Sequence, residues 1–382
     1  MTKKMVLAMV LITVLLAGSV AAVLIGVPGL FEKSKLPILE YEKIKDLPML
    51  TPQIDGGVRY VEGETLLNVA FGKNEDEFAC RVNEDNPYEI FGPMSFAVDG
   101  TDRVFVYDAE NGKLKTFENG KMVDSLECFS PDGWSYGFRQ MFFYDGYVYA
   151  SNIAAASAQG IYKLGDGNVE LVDCFGELGE IKSMRYLGNG SFIVTDLYLG
   201  NARTQIFNVD GTLEGGETQG LVVSAPKKRF TDKEGNTVEW DSLGYMSYVF
   251  MIKNENGDIN YAANFRGYDG DVPPNGADAE GNGWQVSLDI IGADGEGRVY
   301  MEYTVARFEA WNAVQNDYLL RLDIRENTVE AIEVPNLNEE TADGVSFVTG
   351  LWTSTTVLSD GTVVMGGADL ETGVSVNGYT FD

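Results

Sequence analysis

Six segments of the chain share one pattern of apolar and polar positions: two short apolar or alternating runs flank a turn rich in Gly, Asp and Asn. They are 95–108, 140–152, 183–196, 247–264, 286–303 and 354–369. Two such runs around a tight turn predict a β-hairpin, because strand side chains alternate between two faces and these residues adopt turn conformations readily. A hairpin that recurs every few tens of residues predicts a repeat architecture.

The spacing of the hairpins sets the size of one repeat. Asp108, Asn152 and Asp196 lie at equivalent points of the first three hairpins and are 44 residues apart each time. A second hairpin follows within the unit, so each unit holds four strands, the size of a propeller blade. Six inner hairpins therefore predict an all-β, six-bladed β-propeller. A seventh, degenerate blade is the alternative, because the strand-like segments 57–63 and 65–72 either complete the last blade or form their own.

The later units are spaced more widely, which we interpret as insertions at 218–240, 265–284 and 306–315. We expect them to decorate one face of the propeller and to form its recognition surface. Four tryptophans lie in or beside insertions and are the candidate binding residues: Trp240, Trp284, Trp311 and Trp352. Exposed aromatic side chains often mark binding surfaces. The alternative is that these tryptophans cap the cores of the blades.

The first unit also resembles a known repeat. Residues 91–121 hold a Gly-Pro pair and two successive hairpins, with matching positions at Asp108, Asn111, Phe117 and Gly120. In this order the unit resembles an NHL-type propeller repeat, although Lys113 and Leu114 stand where that family often has Arg and Ile. The resemblance is partial for 140–175 and 183–212. It implies a six-bladed propeller of the broad NHL, TolB-like or gluconolactonase-like superfamily, without implying an activity, since propellers host enzymes, sensors and scaffolds.

Two sets of polar residues could hold a divalent cation such as calcium, which binds several carboxylate and amide oxygens. The first lies in the loop 269–283 and comprises Asp269, Asp271, Asp278 and Glu280. The second is implied by the resemblance, because a metal-dependent lactonase of this fold would hold its ion on the axis. Its candidates are Asp108, Asn152 and Asp196, with Asn264 as a further one. For both sets we favour a structural interpretation, since Asp and Asn suit hairpin turns and strand ends.

The N-terminus predicts a membrane segment. Lys3 and Lys4 precede the uncharged stretch 5–27, which is about long enough to span a bilayer as a helix. We favour an uncleaved signal anchor slightly over a cleavable signal peptide; either leaves the rest of the chain outside the cytoplasm. The predicted organisation is an anchor or signal at 1–31, a Pro-containing linker at 32–55 and the propeller at 56–382.

The amino-acid composition excludes or disfavours several kinds of functional site. The net charge of −30 disfavours binding to nucleic acid, because the chain repels phosphate backbones. The chain contains no His, which excludes Ser-His-Asp triads and His-ligated metals. Its three cysteines, Cys80, Cys128 and Cys174, form no CxxC motif. Cys128 and Cys174 stand in matching contexts of successive repeats, where we interpret them as small core residues.

We therefore predict an extracytoplasmic propeller, membrane-anchored or secreted, with a non-catalytic binding or scaffolding role and a protein or glycan as ligand. Two alternatives remain open from the sequence. One is a hydrolase or lactonase with an axial divalent metal held by carboxylates and amides. The other is a structural protein that assembles with copies of itself at the cell surface. The sequence indicates neither the ligand nor the oligomeric state.

Overall fold

The structure is a computed structural model, and it describes residues 44, 47–54, 57–82, 89–100, 103–130, 133, 136–152, 159–172, 178–188, 190–198, 201–215, 229–269, 276–277, 282–309, 312–335, 346–348, 351–369 and 371–381. Residues Pro48–Asp382 form one compact unit. The predicted anchor at 5–27 lies outside the described residues. Among the residues that are described, no helix has the length and apolar character of a membrane span.

Five short strands precede the first blade. They are β1 (Met49–Leu50), β2 (Arg59–Tyr60), β3 (Glu64–Val69), β4 (Arg81–Val82) and β5 (Glu89–Phe91). Blade 1 consists of β6 (Ser95–Val98), β7 (Arg103–Asp108), β8 (Lys113–Glu118) and β9 (Lys121–Glu127). Blade 2 consists of β10 (Phe138–Tyr144), β11 (Tyr147–Asn152), β12 (Gly160–Gly165) and β13 (Asn168–Val172). Blade 3 consists of β14 (Glu180–Gly188), β15 (Ser191–Tyr198), β16 (Asn201–Asn208) and β17 (Leu213–Gly215).

The remaining blades are built in the same antiparallel order. Blade 4 consists of β18 (Arg229–Thr231), β19 (Thr237–Gly244), β20 (Ser247–Lys253) and β21 (Ile259–Arg266). Blade 5 consists of β23 (Gly283–Ala293), β24 (Val299–Glu309), β25 (Asn312–Asp323) and β26 (Thr328–Val334), with β22 (Gly276–Ala277) beside β23. Strand β27 (Ser346–Val348) joins β4 and β5 in a separate small sheet, and a 3₁₀ helix spans Leu351–Ser354. Blade 6 consists of β28 (Thr356–Val357), β29 (Val363–Asp369), β30 (Gly373–Tyr379) and β3.

The hydrophobic core lies in layers between neighbouring blades. The rings of Tyr107 and Phe138 are 5.0 Å apart between blades 1 and 2, and those of Phe142 and Tyr186 are 4.6 Å apart between blades 2 and 3. Further buried clusters in the described part of the chain join blades 3, 4 and 5, then blades 5 and 6, and finally blades 6 and 1. Every blade thus packs against two others, and the layers close a ring of six blades in the residues that the structure describes.

The ring is closed by a strand from the other end of the sequence. Strand β3 pairs antiparallel with β30, so that Val69 lies opposite Val374. The segment 65–72 therefore contributes to blade 6, and the described residues form no seventh four-stranded sheet. Strands β1 and β2 pair parallel with β21 and β26, the outer strands of blades 4 and 5. These pairings cover otherwise free sheet edges, and Met49–Leu50, within the predicted linker, belong to blade 4.

Tight turns between strands follow the local sequence. Asn119 and Gly120 have φ of 51° and 72°, and Asp145 and Gly146 have φ of 48° and 86°. Two successive residues with positive φ are the hallmark of the two-residue hairpin turn whose twist matches that of paired strands. Asn and Asp tolerate this conformation and Gly adopts it freely, so these dipeptides set the register of their hairpins.

The sequence prediction is wrong for the inner strands of blade 4. We predicted the hairpin 247–264 to be the inner one and 218–240 to be an insertion. The structure shows that 247–264 holds β20 and β21, the outer pair, whereas β18 contacts the inner strands β14 and β23. The physical reason is that inner and outer hairpins carry the same alternating pattern. Strand β18, with only three residues, has too little pattern to be recognised.

Candidate functional site

The predicted axial residues occupy equivalent places in three blades. Asp108, Asn152 and Asp196 lie near the ends of the second strands and are buried. Asn152 Oδ1 accepts a hydrogen bond from the Gly137 amide at 2.9 Å, and Asp196 Oδ2 accepts one from the Gly179 amide at 2.5 Å. Asn152 and Asp196 thus fasten the segments that enter their own blades, which is the strand-end role favoured from the sequence.

The two carboxylates of this set are also neutralised within their own blades. Asp108 Oδ2 lies 3.0 Å from Lys115 Nζ, and Arg203 contacts both oxygens of Asp196 at 3.0 and 2.6 Å. Within the described residues, no group of three Cys, Asp or Glu side chains is arranged to hold a metal ion. These residues therefore do not fit a shared axial metal site, because each serves a different blade and the acids already pair with cations.

Asn264 does not belong to this set. It lies on the outer strand β21, where its backbone pairs with Val249 and Met49. The equivalent residue of blade 4 is Asp241. It follows Asn236 by five positions, as Asp108 follows Arg103, and both turns are closed by the same backbone hydrogen bond. Sequence reasoning missed Asp241 because it treated the preceding segment as an insertion.

The predicted loop and tryptophan candidates are only partly described. Asp269 is exposed, while Asp271, Asp278 and Glu280 lie outside the described residues, so the calcium loop stays a prediction. Trp240 does not lie on an exposed surface: it is 8% exposed and its ring stacks on Phe230 at 5.3 Å. Trp284 is 38% exposed at the start of β23. The side chains of Trp311 and Trp352 are outside the described part.

A polar cavity of about 380 Å³ lies where the inner strands face one another. We call it the axial cavity. Its polar lining comes from blades 2, 3, 5 and 6 and comprises Gln140, Lys182, Arg185, Asp289, Glu302 and Thr355, with Ser183 and Thr195 beside them. Arg185 and Asp289 form an ion pair of 2.6 Å between blades 3 and 5, which are not neighbours in the ring. The cavity is thus bridged by opposite charges from different blades.

Glu302 is the most perturbed acid of the axial cavity. Burial raises the pKa of its carboxyl to about 7, and the nearby Asp289 adds to this rise. A hydrogen bond with Thr355 and the charge of Arg185 act in the opposite direction. Glu302 therefore loses its proton at a higher pH than an exposed glutamate does. Sequence reasoning missed it, although a charged residue inside an otherwise apolar inner strand is a usable signal.

A second candidate surface lies on one end of the ring. The second and third strands of each blade are joined at this end, which we call the upper face. It includes the turn Tyr245–Met246 of blade 4. Strand β24 runs six residues beyond Tyr303, its counterpart of Asp108, whereas β7 ends at Asp108, so blade 5 projects roughly 20 Å further than blade 1 at this end. Trp284, Arg307 and Val314 stand in one row across this projection.

The upper face of blades 4 and 5 exposes large apolar side chains. Leu243 is 46% exposed, Tyr245 54%, Trp284 38% and Val314 63%. We call these four residues the upper-face patch. The ring of Tyr245 lies 6.4 Å from that of Tyr268. Strands β23 and β25 hold Trp284 and Val314 on the regular sheet of blade 5, whereas Leu243 and Tyr245 lie at the end of β19 and in the following turn.

No protein-family model matches the chain, and no curated protein matches it. Similar solved structures include the WD40 β-propeller domain of Doa1, at 9% identity over 85% of this chain and 96% of that one, with a TM-score of 0.35. A protein of Agrobacterium tumefaciens assigned as TolB has 12% identity over 75% and 89%, with a TM-score of 0.38. A structure of the nidogen/laminin complex has 12% identity over 63% and 79%, with a TM-score of 0.33.

The decisive observation is the pairing within the chain itself, in which six sheets of the described residues, each containing four antiparallel blade strands, pack into a closed ring. The chain is a six-bladed β-propeller. The fold predicted from the resemblance to NHL-type and TolB-like propellers is thereby confirmed. The propeller presents two candidate sites, the axial cavity and the upper-face patch.

Proposed function

We propose that this propeller is an extracytoplasmic, non-catalytic binding module that takes a protein or glycan ligand on its upper face. The observation that carries the proposal is the projection of blade 5, which holds Trp284 and Val314 in one row with Arg307. Its long strands place apolar and cationic groups beyond the rest of the ring. Such a row suits a ligand that combines apolar and polar groups.

Aromatic and Arg side chains are enriched among the residues that dominate binding energy. A Trp or Tyr ring offers a large flat surface that can stack on a sugar ring or a peptide group. Tyr245 on blade 4 and Trp284 on blade 5 are both exposed on this face. They would act together on a ligand that spans the two blades.

The extracytoplasmic placement is part of the same proposal and is supported by the sequence, in which two Lys precede the uncharged stretch 5–27. Proteolysis of intact cells tests it. A protease added outside the membrane should digest the propeller, and a cytoplasmic marker protein should survive. Protection of the propeller until the membrane is permeabilised would contradict this part of the proposal.

The binding function is tested with two printed arrays, one of glycans and one of peptides, probed with the full-length chain. We expect binding to members of one array, and a loss of tenfold or more in Tyr245→Ala and Trp284→Ala. Tyr60→Ala is the matched control, because Tyr60 is 55% exposed but lies on β2 at the outer edge of blade 5. If Tyr60→Ala weakened binding as much as Tyr245→Ala did, the upper face would not be the binding surface.

A further inference from the structure

The axial cavity has walls of opposite charge. Lys182 and Arg185 project from the inner strand of blade 3, whereas Asp289 and Glu302 come from blade 5. The inner strand of blade 4 between them is only three residues long in the described part of the chain, and Trp240 of its second strand contributes to the cavity wall. The cations of blade 3 and the carboxylates of blade 5 therefore approach each other over the short inner strand of blade 4.

The charges of the cavity are only weakly engaged with one another. Arg185 and Asp289 pair at 2.6 Å, but their side chains are 35% and 62% exposed. Lys182 pairs with Glu180, and both of those side chains are about half exposed. Exposed pairs of this kind contribute about 0–1 kcal/mol, so a ligand can exchange with them at little cost.

Glu302 lacks a close cation. Among the described residues, no Lys or Arg nitrogen pairs with its carboxylate, and the nearest opposing influence is the more distant charge of Arg185. The groups that act on it are Asp289 on β23, Asp317 on β25, Arg185 on β14 and the hydroxyl of Thr355. The two neighbouring acids and burial all disfavour its ionised form. A positive group supplied from outside would satisfy this carboxylate.

The rest of the cavity wall is apolar. Its apolar members are Met184, Leu187, Ile193, Trp240 and Ile291, all of them buried or nearly so. A ligand that fills the cavity must therefore carry an anion for blade 3, a cation for blade 5 and an apolar body. The volume of about 380 Å³ lies within the range of small-molecule sites, which is about 300–1,000 Å³.

We infer that the axial cavity binds a small zwitterion of the amino-acid class with an apolar side chain, its carboxylate on Arg185 and its ammonium between Asp289 and Glu302. One exposed ion pair is then replaced by two, and Glu302 gains the cation that it lacks. The site is separate from the upper-face patch, so the inference does not depend on the proposed function.

The test is calorimetric titration of the full-length chain, purified in mild detergent, with L-leucine, L-methionine and L-phenylalanine. Isoamylamine and 4-methylpentanoate serve as analogues of leucine that lack the carboxylate and the ammonium respectively. We expect at least one amino acid to bind, and each one-charge analogue to bind at least tenfold more weakly than leucine. No binding by the three amino acids at millimolar concentration would overturn the inference, as would equal affinity for leucine and isoamylamine.

Proton release gives an independent readout. At pH 7, an ammonium placed beside Glu302 should favour the ionised form of the carboxyl and release part of a proton. The observed heat should then change with the ionisation enthalpy of the buffer. Glu302→Gln should abolish this buffer dependence, whereas Glu330→Gln on the outer strand β26 should preserve it. Unchanged release in Glu302→Gln would overturn the assigned position of the ammonium.

The carboxylate partner is tested by Arg185→Gln, which should weaken leucine binding at least tenfold without weakening isoamylamine binding, because Asp289 is then released from its ion pair. Arg185→Lys, which keeps the charge, should retain part of the affinity. Arg103→Gln in blade 1 is the matched control, because the Arg103 side chain is 44% exposed and also pairs with an acid. Thermal melts of all variants establish that they are folded. Leucine affinity that survives in Arg185→Gln would contradict the inference.

Discussion

Lys115 and Asp108 form a fully buried ion pair in blade 1, and removing the cation alone should destabilise the propeller strongly. The side chains are 2% and 0% exposed, and Lys115 Nζ lies 3.0 Å from Asp108 Oδ2. Lys115 also donates a hydrogen bond to the carbonyl of Glu77 and lies over the ring of Phe78. It therefore ties the segment after the closing strand β3 to the first blade.

The expected loss in the free energy of unfolding follows from the groups that Lys115→Met would leave without a partner. Two unit charges at 3.0 Å attract by about 5 kcal/mol at an effective dielectric constant of about 20. Asp108 would keep Asn111, which donates to Oδ2 at 2.8 Å, but its charge would be buried without a cation. Breaking one side of a buried pair costs about 3–5 kcal/mol, and we expect a loss in this range.

The assay is urea unfolding of the full-length chain, followed by tryptophan fluorescence. The double variant Asp108→Asn with Lys115→Met removes both charges and should recover most of the lost stability, because the remaining groups are neutral and of similar size. Lys182→Met is the control, since its pair with Glu180 is exposed and should contribute about 1 kcal/mol or less.

Two results would refute the reasoning. If Lys115→Met lost no more stability than Lys182→Met, the buried pair would not support the ring. If the double variant were as unstable as the two single variants combined, the cost would arise from packing and not from an uncompensated charge. The double-mutant cycle separates these cases, because it isolates the interaction between the two side chains.

Three further predictions follow from single sites. The raised pKa of Glu302 means that the native state binds its proton more tightly than the unfolded state; unfolding free energy should fall by about 3 kcal/mol between pH 4.5 and pH 7, relative to Glu302→Gln measured in parallel. Gly373→Ala should lower the melting temperature by more than Gly57→Ala does. The two glycines have nearly equal φ angles, 92° and 95°, so the backbone strain of an alanine is similar at both. Only at position 373 would the added Cβ clash with neighbouring backbone, at 2.1 Å from the carbonyl oxygen of Val69. Burial raises the pKa of the Cys128 thiol to about 12, so maleimide at pH 7.5 should label exposed Cys80 and spare Cys128 in the native protein, as peptide mass mapping would reveal; labelling of Cys128 without denaturant would contradict its core position.

Local sequence was sufficient for most of the strands. Dipeptides such as Asp145-Gly146 fix a two-residue turn by their own backbone preferences, and the flanking alternation fixes which side chains face the neighbouring blade. Five of the six predicted inner hairpins are the inner strands of their blades within the described residues. Cys128 is likewise buried in the core, as its repeat context predicted.

The candidate sites were predicted less well, because a site depends on which strands come together. Asp108 and Asp196 were correctly expected at strand ends, yet their partners Lys115 and Arg203 were not foreseen. For Trp240 the sequence left two places open, a binding surface or the core of a blade, and the structure puts its side chain in the core beside β18. A strand of three residues is too short to show the alternation of apolar and polar positions. Its place in the blade is therefore set by the strands that pack around it.

The sequence by itself determined the repeating hairpins and the turn conformations, because both depend on interactions between residues that are close along the chain. Only the tertiary structure decided between six and seven blades, how the ring closes and what its centre contains. Strand β3 pairs with β30, which lies near the other end of the sequence. Strands β1 and β2 also pair with distant strands, although two residues are too few to show an alternation of apolar and polar positions. In the axial cavity Arg185 contacts Asp289 of another blade, and the two residues are 104 positions apart in the sequence. Such contacts form only after the ring has brought distant strands together, since no local preference encodes them.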